Sequence, residues 1–439
     1  MKIAVVGAGV AGLGCAYALK DDHRITLFEQ DHRLGGHAHG VTIDYDGTAI
    51  DVDTGFIVFN QRNYPNFVGL LDHLGVRTTP TDMSFAFSGR GVEWSSNFPV
   101  GVFAQKRNLV SPTFLGMLAD IGRFNRTALV DLEAGRLEGL TLGGYLRLRG
   151  FGAAFETHYL LPMGAAIWST TEAGVEAAPA ESFVRFFANH NLLQMVQPAW
   201  RTVAGSSRAY VAPLAQRLGG RVRPGVGAIS VRRRSAGVEI SRTDGVIERF
   251  DQVVLACHSD QALRLVADAD AEERAFLGAI RFAPNRAYLH RDLALMPRRR
   301  AAWGSWNYLH QEGGAPSAVT YWMNRLQAID ANRPLFVSLN PPQPPDPKLT
   351  FAEYSYDHPQ FDTPSLAAQR RFGRIQGRGG VWYAGAWLGH GFHEDGLTAG
   401  LRVAMALGGR TPWTFVDHRI EGGPLRAPLP SSQAERATA

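Results

Sequence analysis

The sequence has 439 residues, a formal charge of +5, 45% hydrophobic and 19% charged residues, too long for one ordinary domain and ample for two with a substantial core. No run approaches the ~18 apolar residues of a membrane-spanning helix, and Cys15 and Cys257, both in expected buried elements, support neither a disulfide framework nor a metal site, so a reducing, cytoplasmic setting is expected. Among 45 basic residues only Lys2, Lys20, Lys106 and Lys348 are lysines; the excess charge is dispersed arginine, which argues against nucleic acid as a partner and leaves weak attraction to the anionic inner face of a membrane open.

Lys2 to Val6 reads as a buried parallel strand that runs into Gly7-Ala8-Gly9-Val10-Ala11-Gly12, the G-x-G-x-x-G that opens a helix in a dinucleotide-binding βαβ unit. Gly7 permits the tight turn, Gly9 keeps side-chain atoms off a diphosphate, and Gly12 lets the helix, carried by Leu13 to Leu19, lie close to the strand. Ile25 to Phe28 gives the second strand. Glu29 at its end is placed to accept both hydroxyls of an adenosine ribose, and it would repel a 2′-phosphate, which argues against NADP. A signal peptide, superficially suggested by Met1-Lys2 and the apolar run, is countered by four glycines between residues 7 and 14.

Downstream come Arg33-Leu34-Gly35-Gly36-His37, a hairpin expected at Tyr45-Asp46-Gly47-Thr48, and Asp51-Val52-Asp53-Thr54-Gly55. At these residues the chain resembles the flavin-containing amine oxidase and phytoene desaturase superfamily. The resemblance implies FAD, with a turn at Arg33, Leu34, Gly35, Gly36 and His37 that supports the diphosphate and a loop at Thr54, Gly55, Phe56 and Ile57 that abuts the flavin ring. His37 stands where that superfamily usually has a second arginine, so a permanent charge is replaced by a titratable one. Gln30, beside Glu29, is included in the nucleotide site.

Tyr64 to Leu74 reads as a helix ended by Gly75, and residues 61 to 199 as most of a substrate domain. Leu109 to Asn125, flanked by Lys106, Arg107, Arg123 and Arg126, suits either a helix lying on a membrane surface or a core-packing helix, the second being the commoner fate of an apolar face. His158 to Ser169 reads as a wall against a ligand or a neighbouring helix. Trp200 to Ser207 returns to the nucleotide domain, with Ser206 or Ser207 capping a helix to Leu218. From Arg221 the period is two, giving strands at 227–231, 237–241 and 246–250 and a buried strand at 251–256. The resemblance assigns Val226 a backbone contact to adenine. Trp303, Trp306, Tyr308, Tyr321, Trp322 and Met323 suit a core, though a large apolar cavity needs such a lining too.

Val381 to Gly385 is the last expected sheet strand, followed by a helix to Leu407. This stretch is similar to the closing superfamily motif, which implies that Gly385 and Ala386 meet the ribityl chain and that the helix start at His393, Asp395, Gly396 and Leu397 faces the flavin ring. His393 and Glu394 are the candidates for taking a proton; the competing assignment gives His393 only a backbone contact and makes Glu394 a helix cap.

The expected fold is α/β, a Rossmann-like FAD-binding domain made of 1–60, 200–275 and 378–412, interleaved with an α+β substrate domain made of 61–199 and 276–377; residues 422–439 read as a disordered tail. Gly391 to Gly396, Tyr321 to Gln327 and Asp53 to Asn60 resemble a bacterial subgroup of cyclopropane or furan fatty-acid synthesis flavoproteins. That resemblance implies desaturation of a methyl-branched, phospholipid-linked acyl chain by hydride transfer to flavin N5, with peripheral membrane contact. A flavin amine oxidase and a non-redox flavoprotein such as a sugar-nucleotide mutase are the alternatives.

Overall fold

The computed structural model describes residues 1–190, 192–193, 199–311 and 318–417; the expected tail lies outside them. A five-stranded sheet runs in the order Val222–Pro224, Arg24–Glu29, Lys2–Val6, Gln252–Leu255 and Val381–Tyr383, every neighbouring pair parallel. Three stretches far apart in sequence thus build one sheet, and both faces of it are covered, as parallel sheets require. Ile3, Val5, Leu27 and Val254 face the opening helix Val10–Leu19, the helix Arg208–Leu218 and the closing helix His393–Ala406. Ala4, Val6, Phe28, Val253 and Leu255 face the other way, onto Val231, Val238, Ile240 and Phe250. Those last four come from a three-stranded antiparallel sheet, Ala228–Arg234, Gly237–Arg242 and Ile247–Phe250.

The opening and closing helices touch because both present glycine. A Cβ on Gly400 would collide with the Ala11 carbonyl, and one on Gly14 with the Leu397 side chain. The hairpin Gly40–Tyr45 and Thr48–Asp53 turns through Asp46 and Gly47, both with positive φ (50° and 83°), the geometry of a two-residue hairpin loop.

A second, seven-stranded sheet takes the order Thr350–Gln360, Arg281–His290, Phe336–Leu339, Ala318–Trp322, Trp306–Leu309, Phe85–Gly89 and Val92–Ser95. Its 306–309 and 85–89 pair is parallel and its other pairs antiparallel. The helices Pro112–Glu133, Leu161–Trp168 and Ala180–Asn189 pack with its 85–95 end in one aromatic cluster.

Local expectations differ from the structure in three places. The helix expected from Leu109 begins at Pro112, where the Ser111 hydroxyl accepts the Phe114 N–H at 3.3 Å, and it continues to Glu133. Phe114, Met117 and Phe124 are buried, while Leu109, Val110 and Leu115 are 53%, 79% and 43% exposed; one side of this region packs and another does not. The helix Arg208–Leu218 has no side-chain cap, since the Ser207 hydroxyl goes to Asp53 at 2.5 Å. The aromatic stretch at 303–323 is divided among separate cores. Trp303 packs with Phe336, Trp306 and Tyr321 meet edge to face at 5.4 Å, and Tyr308 stacks on Phe87.

Candidate functional site

The glycine loop is shaped from both sides. Gly7 has φ +101° and donates to the Phe28 carbonyl at 2.8 Å, and a Cβ there would stand 2.6 Å from the Ala256 carbonyl oxygen. A Cβ on Gly12 would collide with the Gly7 carbonyl. At Gly9, in contrast, a Cβ would meet nothing within 4 Å. The opening helix that follows has no side-chain cap and no acidic residue in its first turn, so the amides of Val10, Ala11 and Gly12 stand at a positive helix end. Glu29 is aimed at this loop: one carboxylate oxygen accepts the Ala8 N–H at 2.7 Å and the other the Asp31 N–H at 3.0 Å.

Two expected nucleotide residues already have partners within the protein. The Val226 N–H donates to the Glu29 carbonyl at 2.9 Å, so a backbone contact to adenine would come from its carbonyl. The Arg33 guanidinium lies 3.4 Å from the Leu34 and Ala38 carbonyls, and Arg33 and Leu34 line a groove of about 480 Å³ shared with His39, Arg208 and Val211. Gln30 is exposed, and its Cβ would be 3.1 Å from a Cβ on Gly227.

Gly35 and Gly36, with φ of +108° and +57°, lay the second turn on the first: a Cβ on Gly36 would be 3.1 Å from the Gly9 Cα. The loop at 53–57 then clips onto the same turn. Phe56 donates to the His37 carbonyl at 2.8 Å and Thr54 to the His39 carbonyl at 2.9 Å, and a Cβ on Gly55 would collide with the His37 carbonyl. The Thr54 hydroxyl is 2.7 Å from the Tyr356 hydroxyl, and the Ile57 carbonyl accepts from Thr202 at 2.8 Å.

Asp53 anchors the loop from behind. Its carboxylate accepts the Ser207 N–H at 2.9 Å and the Gln327 amide at 2.7 Å, and its own N–H donates to Gln327 at 2.8 Å. Burial raises this carboxyl to about 6 against those hydrogen bonds. The sequence motif at 321–327 contains Gln327 but offers no sign of this partner, 274 residues away.

At the other end of the chain, Gly385 bends the backbone where a Cβ would meet the Trp387 indole, and the Ala386 carbonyl accepts N–H groups from Gly389 and Gly391 at 3.0 and 3.1 Å. The closing helix starts at His393 with Glu394 and Asp395 in its first turn. Asp395 turns its carboxylate back onto the His390 and Phe392 amides at 3.1 and 2.9 Å. A Cβ on Gly396 would be 3.1 Å from Cγ1 of Val10, so the two helix starts lie side by side.

The family described as flavin containing amine oxidoreductase matches this chain over residues 10–284. The chain belongs to that family. A 4,4′-diapophytoene desaturase of Staphylococcus aureus is 32% identical over 103 residues, which cover 19% of this flavin-containing family member and 20% of that protein. The chain therefore spans about a fifth of the length of the curated relatives it matches. A putrescine oxidase solved with putrescine has a TM-score of 0.65 at 16% identity, covering 92% of this chain and 98% of that one. A CLA-producing fatty acid isomerase from P. acnes has a TM-score of 0.65 at 16% identity, covering 92% and 97%. At such identities these two share the fold.

The cofactor of this flavin-containing oxidoreductase family member is FAD, and the residues present fit it. Open space over Gly9 lies at the uncapped start of the opening helix, next to the Gly35-Gly36 turn that packs on Gly9 and to which the 54–56 loop is hydrogen-bonded. The two proton-accepting candidates are both engaged within the protein. Both Glu394 oxygens accept backbone amides, from Asn66 and Phe67 at 2.9 Å each, so this carboxylate caps the helix Pro65–Leu74 rather than its own. His393 stacks on Phe56 at 3.8 Å with its Nε2 2.7 Å from the Tyr210 hydroxyl, and burial lowers the imidazole to about 3. His393 belongs to a buried aromatic layer with Phe56, Phe67 and Tyr210. Burial likewise raises Glu394 and Asp395 to about 7.

Proposed function

We propose that the protein is an FAD-dependent oxidoreductase that desaturates a methyl-branched, unsaturated acyl chain, presented in a phospholipid. The observation that carries this reading is the aromatic wall next to the start of the closing helix. Phe392 stacks on Phe186 at 5.2 Å and Trp168 lies 4.7 Å from Phe186, which also stacks on His190 at 4.0 Å, an aromatic cluster of the kind that can back a site for a hydrocarbon chain. A desaturase relative over a fifth of the chain and a fatty acid isomerase of like fold support the same substrate class. Bound FAD supplies the two-electron acceptor for a hydride leaving an activated C–H.

In this reading the chain's own work is binding, orientation and exclusion of water. The amides of Val10, Ala11 and Gly12 hold the diphosphate, and Glu29 holds the ribose. The 54–57 backbone, braced by Asp53 and Gln327, and the start of the closing helix at Asp395, Gly396 and Leu397 hold the ring, with Gly385 and Ala386 along the ribityl chain. The segments 1–60, 200–275 and 378–412 act as the FAD unit, and 61–199 with 276–377 as the substrate unit.

An amine oxidase would hold its neutral amine between facing rings, and the tryptophans richest in supply do not offer that gap. The Arg300 guanidinium lies 3.9 Å from the Trp303 centroid and 4.8 Å from Trp322, filling the angle between them. The test is to incubate FAD-loaded protein with lipid extracts containing methylated acyl chains and follow acyl mass. Loss of two hydrogens supports the proposal; no new double bond, with peroxide released from an amine panel, refutes it.

A further inference from the structure

Three imidazoles from remote segments converge at the end of the second glycine turn. The His37 ring centroid is 5.8 Å from that of His258 and 5.8 Å from that of His358, with Tyr356 at 5.3 Å. Each ring is held in place. His258 lies just beyond the strand Gln252–Leu255, which neighbours the opening strand in the sheet, and stacks on Phe282 at 4.3 Å and 9°. His358, on the strand Thr350–Gln360, has its Nδ1 2.9 Å from the Ser169 hydroxyl, and Tyr356 is engaged by Thr54 and His39.

Charges of both signs surround this cluster. Arg33 and His393 bear on His37; Asp260, Asp357 and Arg264 bear on His258; Asp357 bears on His358. Among the described residues no carboxylate is hydrogen-bonded to any of the three rings, and no set of three metal-ligating side chains could share an ion. The turn carrying His37 packs directly on Gly9, at the positive end of the opening helix.

We propose that His37, His258 and His358 form a cradle for the doubly negative diphosphate of FAD and take up protons when it binds. This rests on the flavin reading and goes beyond it: two residues outside every glycine motif complete the anion site, and the replacement of the superfamily's arginine by His37 makes cofactor affinity depend on pH. Before binding, burial holds His37 at about 3 and His358 at about 4, so both rings are neutral near pH 7. Two negative charges alongside favour the protonated rings, and linkage then requires that acid tighten binding.

The experiment titrates the refolded apoprotein with FAD between about pH 6 and about pH 8.5, following flavin fluorescence, with calorimetry in buffers of different ionisation enthalpy to count protons. The expected result is net proton uptake and a Kd that weakens by up to about tenfold per pH unit for each proton taken up. His37→Arg should flatten that slope and preserve binding at the alkaline end. His258→Gln and His358→Gln should each lower the proton count, with the thermal transition recording that the chain remains folded. Stoichiometric FAD binding with no proton uptake and one Kd at every pH overturns the cradle while leaving the flavin reading intact. A folded chain that binds no FAD at any pH overturns both.

Discussion

Val10, ten residues into the chain, has its Cγ1 3.1 Å from where a Cβ on Gly396 would sit, so the first turn of the opening helix and the first turn of the closing helix share one edge. Nothing larger than glycine fits that contact without a shift. It brings the positive end of the opening helix and the start of the closing helix together next to the open space above Gly9, and the flavin reading depends on that convergence.

Gly9→Val tests the diphosphate end. Because a Cβ at Gly9 meets no protein atom within 4 Å, the variant should fold with an unchanged thermal transition. Its branched side chain should occupy the space the diphosphate needs, and the purified protein should be colourless. Retention of full flavin, read from visible absorption, contradicts this.

Glu29→Ala removes the carboxylate that accepts from Ala8 and faces the proposed ribose position. Loss of charged hydrogen bonds worth about 1.5–3 kcal/mol predicts FAD affinity weaker by about ten- to a hundredfold. Equilibrium titration measures it, and an unchanged Kd would place the ribose elsewhere.

Glu394→Ala should act on stability. The substitution strips both acceptors from the start of the helix Pro65–Leu74 and leaves the buried amides of Asn66 and Phe67 unpaired, a loss of about 1–3 kcal/mol. Glu394→Gln keeps one acceptor and should fall between. A proton-accepting Glu394 would instead give a Gln variant of normal thermal stability with kcat reduced by orders of magnitude.

The apoprotein should be most stable near pH 6.5. Burial lowers His37, His390 and His393 to about 3 and His39, His290 and His358 to about 4. Their folded values lie below the unfolded 6.5, so this stability is complete above pH 6.5 and drains as pH falls, each ring by up to ~1.4 kcal/mol per unit. Asp53, Glu394 and Asp395, raised to about 6, 7 and 7, act oppositely: their contribution is present below their unfolded values near 4 and is lost as pH rises through 6 to 7. Six imidazoles outweigh three carboxyls across pH 4 to 6.5, so the thermal transition should fall on acidification. A transition that rises toward pH 5 contradicts this balance.

The contact of residues 106–115 with lipid is tested by vesicles. Leu109 and Val110 are exposed beside Lys106 and Arg107, and Leu109→Asp with Val110→Asp should abolish sedimentation with anionic phospholipid vesicles while leaving the thermal transition unchanged. Equal sedimentation of wild type and variant argues against this surface.

What could be read from the chain alone follows from how local each cause is. The strand, glycines, helix and Glu29 of the opening unit are set by neighbours within thirty residues, and the parallel sheet they announce is present. The Asp46-Gly47 hairpin and the helix end at Gly75, with φ 70°, are equally local, because positive φ selects glycine. Glu394 illustrates the opposite case: an acid in the first turn of a helix ordinarily caps that helix, yet this one caps another 328 residues away. Gln327 on Asp53 and His258 and His358 around His37 are also products of tertiary packing, with no spacing in the sequence to betray them. The start at Pro112 instead of Leu109 turned on Ser111, a cap the apolar pattern concealed.

Reconstitution of the apoprotein with FAD, followed as flavin bound per chain, tests the central claim most directly. The account predicts a yellow protein saturating at one FAD per chain, with uptake abolished separately by Gly9→Val at one end and by Gly396→Val at the other. A wild-type chain that folds and stays colourless at saturating FAD, or a Gly396→Val chain that folds and binds FAD as tightly as wild type, would contradict it.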